Sequence, residues 1–152
     1  MSEDHLKLEN QICFSVYATA REITKLYRPL LQKLDITYPQ YLVLLVLWEE
    51  DQLTVKELGR RLFLDSGTLT PMLKRMENAK LLQRRRSQND ERSVIVSLTS
   101  SGKEAQKEAD LIPQLLLDNF DIDADELTSM KNTLSKLLHS AYEKNTSSSE
   151  HL

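Results

Sequence analysis

Three absences narrow the field before any pattern is read. No stretch approaches the roughly 18 consecutive apolar residues that a membrane span requires, and the opening MSEDHLKLENQ carries neither a basic segment nor an apolar one, so export is not expected. The chain of 152 residues has one cysteine, Cys13, which cannot form a disulfide within the chain. Its three histidines, His5, His139 and His151, are scattered without metal-ligand spacing. A membrane anchor, a disulfide scaffold, a metal centre and a cofactor are therefore not expected, and the reducing cytoplasm is the expected compartment. With 40% hydrophobic residues the chain has enough apolar material for one packed domain with helical extensions.

The net charge of -3 speaks against a nucleic-acid partner only if charge is spread evenly, and it is not. Between Lys56 and Arg92 lie ten basic and five acidic residues, a local balance of +5 that leaves the remainder at -8. A solvated surface is the plain reading of such a run; the order of elements around it decides otherwise.

Residues 12 to 34 repeat apolar side chains at three- and four-residue spacings, from Ile12, Cys13, Val16 and Tyr17 to Tyr27, Leu30, Leu31 and Leu34. This predicts a long amphipathic helix. Thr37-Tyr-Pro-Gln40 and Thr54-Val-Lys-Glu57 read as capping boxes that open two more helices, one reaching Trp48 and one carrying Leu58 and Leu62. Asp65 caps a further helix over 66–79 with Leu69, Met72, Leu73 and Met76 on one side and Gly67, Thr70, Pro71, Lys74 and Asn78 on the other, although Pro71 leaves its start open. Two short segments, 82–87 and 93–98, then flank a polar stretch and predict a β-hairpin in which Val94, Val96 and Leu98 alternate with Ile95 and Ser97. Thr99 caps a helix to about 118 with a break near Pro113, and Asp123 with Glu126 opens a last helix striped by Leu127, Met130, Leu134, Leu137, Leu138 and Ala141.

Helix, short turn, helix and hairpin, in that order and coincident with the basic excess, predict a mainly α (α+β) winged helix-turn-helix that binds double-stranded DNA. In such a unit the second helix enters the major groove. Ser66, Thr68 and Thr70 can then meet bases or phosphates, and Lys74 and Arg75 the backbone, with Arg84 and Arg86 adding charge on the hairpin. At its tip, Asp90-Glu91-Arg92 offers an arginine to the minor groove with an acidic neighbour to hold its guanidinium. A surface salt bridge is the competing reading of that triplet.

The same stretch, Asp90-Glu-Arg92 followed by Leu98-Thr99-Ser-Ser-Gly102, resembles the D-x-R wing and L-T-x-x-G of MarR-family regulators. The resemblance covers residues 8 to 143. It implies long flanking helices that intertwine into a homodimer on a pseudo-palindromic operator. The organisation expected is a dimerisation and sensor helix over 1–36, the winged helix-turn-helix over 37–99, dimerisation helices over 100–143 and a disordered tail over 144–152.

A lone cysteine on an apolar stripe is commonly a small packing residue. Here LENQICFSVYATARE, TYPQYLVLL and LDSGTLTPMLKRME resemble the organic hydroperoxide resistance regulators of that family. The resemblance makes Cys13 the oxidant sensor and Tyr17, Tyr27 and Tyr38 the phenols that hold its thiolate. Tyr27 is 14 residues from Cys13, about 21 Å along a straight helix, so it cannot reach the sulfur of its own chain. The chain resembles the one-cysteine type, whose sulfenic acid ends in a mixed disulfide with a low-molecular-weight thiol or is overoxidised. Two alternatives stay open: a broader thiol-based global regulator, and a regulator released by a phenolic ligand without redox chemistry. An enzyme is not expected, since a thiol peroxidase would need a resolving group that the sequence does not display.

Overall fold

Four successive helices in the middle of this chain each start at one side chain placed just ahead of the run. The computed structural model describes residues 3–149. In it Thr37 Oγ1 accepts the Gln40 amide at 3.4 Å while Gln40 Oε1 accepts the Thr37 amide at 3.1 Å, which opens α2 (Tyr38–Glu49). Thr54 and Glu57 repeat the arrangement at 3.1 and 2.9 Å ahead of α3 (Val55–Leu62). Asp65 accepts the Thr68 amide at 2.7 Å ahead of α4 (Ser66–Asn78), and Thr99 accepts the Gly102 amide at 3.1 Å ahead of α5 (Ser100–Ala109). Side-chain caps of this kind stabilise a helix by about 1 kcal/mol each.

α1 (Ile12–Leu31) runs unbroken for 20 residues with Pro29 in its last turns and passes into a 3-10 turn over Gln32–Leu34. Asp35, in the left-handed region at φ 52°, ends it. The apolar stripe is therefore helical as expected, but most of it is not covered within the chain: only Leu31 is buried. α2 is apolar nearly all round, and it lies at the centre, with Tyr41, Val43, Leu44, Val46 and Leu47 buried. The main core gathers Leu44 and Leu47 from α2, Leu58 from α3, Leu69, Leu73 and Met76 from α4, and Leu82, Val96 and Leu98 from the hairpin. A second cluster joins Leu31, Tyr41, Ala109 and Ile112.

The hairpin is β2 (Leu82–Arg86) and β3 (Val94–Leu98), paired Leu82 to Leu98 and Arg86 to Val94. A strand that the sequence reading missed, β1 (Leu53–Thr54), pairs antiparallel with β3, giving the order β1-β3-β2. The expected alternation in β3 fails at Ser97, which is buried together with Val96 and Leu98. The base of the hairpin is closed by backbone contacts. Thr99 donates its amide to the Leu81 carbonyl and its hydroxyl to the Lys80 carbonyl, while a Cβ on Gly102 would fall onto that same Leu81 oxygen. The L-T-x-x-G stretch thus combines a cap, a latch and a close approach.

The expected helix to residue 118 is two helices, α5 and α6 (Ile112–Leu117), with the break at 110–111 and Pro113 in the first turn of α6. The chain divides into two compact units, one reaching Leu116 and one beginning at Leu117, a division not drawn in the sequence reading. The second holds α7 (Ala124–Ser149), opened by Asp123 accepting the Glu126 amide at 2.8 Å. Residues 144–149, expected in a disordered tail, continue α7; residues 150–152 lie outside the described residues. Among the described residues no helix is long and apolar enough to cross a membrane.

Candidate nucleic-acid interface and thiol site

The charge excess of the middle third separates into structural and free cations. Arg61 of α3 bridges Glu49 at 2.9 Å and Glu50 at 3.4 Å, which ties α3 to the end of α2. Arg84 turns back from β2 onto α4: its Nη2 meets Glu77 Oε1 at 3.1 Å and its amide donates to Glu77 Oε2 at 2.8 Å. Arg84, expected among the DNA contacts, is thus a half-buried partner of α4. The other eight, Lys56, Arg60, Lys74, Arg75, Lys80, Arg85, Arg86 and Arg92, are exposed.

On α4, Ser66, Thr68, Lys74 and Arg75 are exposed and Thr70 half-buried, opposite the buried row Leu69, Met72, Leu73 and Met76. The Thr68 amide donates to the Asp65 carboxylate at 2.7 Å, and hydrogen bonding from Thr68 holds that carboxyl below its ordinary range. Pro71 sits on the exposed side, where the amide it lacks is missing from the solvent face and not from the core.

Asp90 organises the wing tip differently from expectation. Its carboxylate accepts the Arg92 amide at 3.0 Å and the Ser93 hydroxyl at 3.3 Å, while its carbonyl accepts the Ser93 amide at 3.0 Å. Asp90 holds the backbone of Arg92, not its guanidinium, and builds the turn that presents it. Arg86 reaches the Glu91 carbonyl at 3.4 Å.

Cys13 is a free, exposed thiol in the first turn of α1. Tyr17, one turn on, is exposed with the Arg21 guanidinium 5.4 Å from its ring centre. At the far end of the same helix, Tyr27 packs on Tyr38 of α2 with ring centres 4.4 Å apart. The structure brings these two phenols together and leaves Cys13 and Tyr17 apart from them.

A third phenol, Tyr41, went unnoticed in the sequence although it follows Tyr38 by the three residues that share a helix face. It is buried, 5.8 Å from Tyr27 and 6.4 Å from Tyr38, and its ring meets the edge of Trp48 at 6.4 Å. Trp48 Nε1 in turn donates to the Gly102 carbonyl at 2.8 Å. Burial, then the neighbouring phenols, pushes Tyr27 up to about 12. Tyr38 is raised by burial, with the bond from Tyr27 opposing, and Tyr41 is raised by burial.

Comparison with known proteins bears on both halves of this arrangement. A family model described as transcriptional regulator SarA/Rot matches residues 25–109. The organic hydroperoxide resistance transcriptional regulator of Bacillus subtilis (strain 168) is 54% identical over 142 residues, covering 93% of this chain and 97% of its own length. Reduced AbfR of Staphylococcus epidermidis, solved bound to DNA, is 38% identical with a TM-score of 0.77 over 93% of this chain and 99% of that one. A cysteine-to-serine mutant of E. coli MarR, solved with operator DNA, is 31% identical with a TM-score of 0.70 over 81% and 90%. Likeness of this extent takes in the thiol-bearing helix as well as the wing, and with a single cysteine to bear the chemistry it leads to one assignment: the chain belongs to the MarR family of transcriptional regulators, in its one-cysteine organic hydroperoxide resistance type.

Proposed function

We propose that the protein is a homodimeric cytoplasmic repressor that holds a pseudo-palindromic operator through α4 and the wing and releases it when an organic hydroperoxide oxidises Cys13. The observation that carries this reading is a division of labour within one chain. The cations of the middle third that are not tied into ion pairs lie exposed on α3, α4, the wing and the turn between α4 and β2, and the one thiol lies exposed on α1. Ser66 and Thr70 at the start of α4 meet the major groove, Lys74 and Arg75 the phosphates, and Arg92 the minor groove.

The thiolate of Cys13 attacks the peroxide bond: a sulfur–oxygen bond forms, the oxygen–oxygen bond breaks, and the alkoxide leaves as the alcohol after taking a proton. The resulting sulfenic acid condenses with a low-molecular-weight thiol to a mixed disulfide and water. Phenols from the partner subunit's Tyr27 and Tyr38 stabilise the thiolate before attack, since Tyr27 lies about 21 Å along α1 from its own Cys13 and Tyr38 packs on Tyr27. Tyr17 stands one turn from the sulfur on its own helix.

The test is the affinity for duplex DNA from upstream of the protein's own gene and its neighbours, before and after one equivalent of tert-butyl hydroperoxide. Tight binding that is lost on oxidation is expected; no binding in either state would end the reading. The match to the SarA/Rot model supports a second reading that shares the sensor and widens the gene set. Genome-wide footprints with and without hydroperoxide separate the two, since a few sites beside peroxide-detoxifying genes favour the first and dispersed sites the second.

A further inference from the structure

The wing can present Arg92 to a groove only while its angle to α4 is defined. The covalent link between them is short and leaves the α-helical path, with Lys80 in the left-handed region at φ 62°. β2 is an outer strand of the three-stranded sheet, so its outward amides have no strand partner. At Arg84 that vacancy is filled from α4. Glu77 Oε2 accepts the Arg84 amide at 2.8 Å, and Glu77 Oε1 accepts the Arg84 guanidinium at 3.1 Å. One carboxylate thereby uses both oxygens on one residue of the strand, through its backbone and its side chain. Arg84 Nε is buried without a hydrogen-bond partner, so the guanidinium is seated where it is at some cost, not lying loosely on the surface. The side chains are 22% and 34% exposed, against 36–72% in the chain's other ion pairs among the described residues, which lessens screening of the contact.

We propose that Glu77 and Arg84 are positioning residues that brace the wing against the recognition helix, fixing the distance between the major-groove and minor-groove contacts without touching DNA themselves. The brace rests on the reading of α4 and the wing as the DNA-contacting elements, and explains why an acidic residue lies within a basic surface. Glu77 repels DNA as a charge and supports binding as a strut.

Those two effects have opposite signs, which makes Glu77→Gln decisive. The probes are a duplex selected by the wild-type protein from a random-sequence pool and an unselected duplex of equal length, with affinities measured across a salt series. Glu77→Gln should bind the selected duplex roughly tenfold more weakly, as expected for loss of a charge-assisted bond, and the unselected duplex as well as wild type or better. Arg84→Gln should lose selected binding similarly with an unchanged salt slope, whereas Lys74→Ala, a phosphate contact, should lower that slope by about one. Hydrogen exchange at the amides of 85–92 should quicken in both brace variants while the melting temperature stays near wild type. Unaltered or tighter selected binding by Glu77→Gln overturns the brace, as does a lowered salt slope in Arg84→Gln, which would make Arg84 a direct contact. If Lys74→Ala and Arg92→Ala also leave both duplexes unaffected, the reading of the DNA face itself has failed, an outcome distinct from loss of the brace alone.

Discussion

Cys13 and the phenols are separable residue by residue. Serine keeps the size and helix compatibility of cysteine but neither ionises near neutral pH nor forms a sulfenic acid. Cys13→Ser should bind operator as wild type does and stay bound after hydroperoxide; a variant that leaves DNA at the same dose would make Cys13 a bystander. Tyr27→Phe and Tyr38→Phe should each slow the response, since each removes one phenol of the pair whose rings lie 4.4 Å apart, and a response as fast as wild type in both would separate the phenols from sensing. Tyr27 also predicts an alkaline effect. Its folded value of about 12, raised from 10.0, means that the folded chain keeps a proton the unfolded chain surrenders above pH 10. That stabilisation is whole below pH 10 and is lost as pH rises from 10 to about 12. Tyr27→Phe removes this loss, so its alkaline unfolding midpoint, followed by circular dichroism, should move to higher pH; an unmoved midpoint would show that the phenol titrates without consequence for folding.

Elements respond to backbone geometry that side-chain patterns describe only in part. Gly102 is the clearest instance, since a Cβ there meets the Leu81 carbonyl oxygen, which already accepts the Thr99 amide and cannot retreat without opening the base of the wing. Gly102→Ala should destabilise by about 1–3 kcal/mol and lower the melting temperature, and a melt identical to wild type would show that the wing base yields. The caps at Thr37, Thr54, Asp65 and Thr99 were legible in the sequence because a cap spans three residues. The buried face of α4 was legible because its period is that of the helix, whereas α2, apolar nearly all round, has no such period to read. β1 was not, being two residues long and doubling as the entry to α3, and neither was the Glu77–Arg84 contact, which joins two elements across a turn with no repeat to betray it. Asp90 was noticed for its charge, but what it does is hold an amide, and only the turn itself reveals that.

At the scale of the molecule, the first unit leaves Leu6, Leu8, Ile12 and Phe14 between 42% and 77% exposed in and ahead of α1, more clustered apolar surface than a monomer ordinarily keeps in water. In the second unit, Met130, Leu134, Leu137 and Leu138 line α7 at 42–47% exposure. A dimer at micromolar concentration is expected by sedimentation, covering half-sites about one DNA turn apart or a multiple of it. A monomer that protects a full palindrome would contradict this. The rigidity of α1 has a genetic consequence. In the proposed dimer, each sensing centre would draw its sulfur from one chain and its phenols from the other, since Tyr27 lies about 21 Å along α1 from its own Cys13. Two alleles that are each blind to peroxide, Cys13→Ser and the double Tyr27→Phe, Tyr38→Phe, should therefore rescue one another when expressed together: the mixed dimer contains one centre with an intact cysteine facing intact tyrosines, beside one that has lost both. Were sulfur and phenols drawn from the same chain, no mixture of these alleles could restore a working centre, and co-expressing cells would stay as unresponsive as either parent.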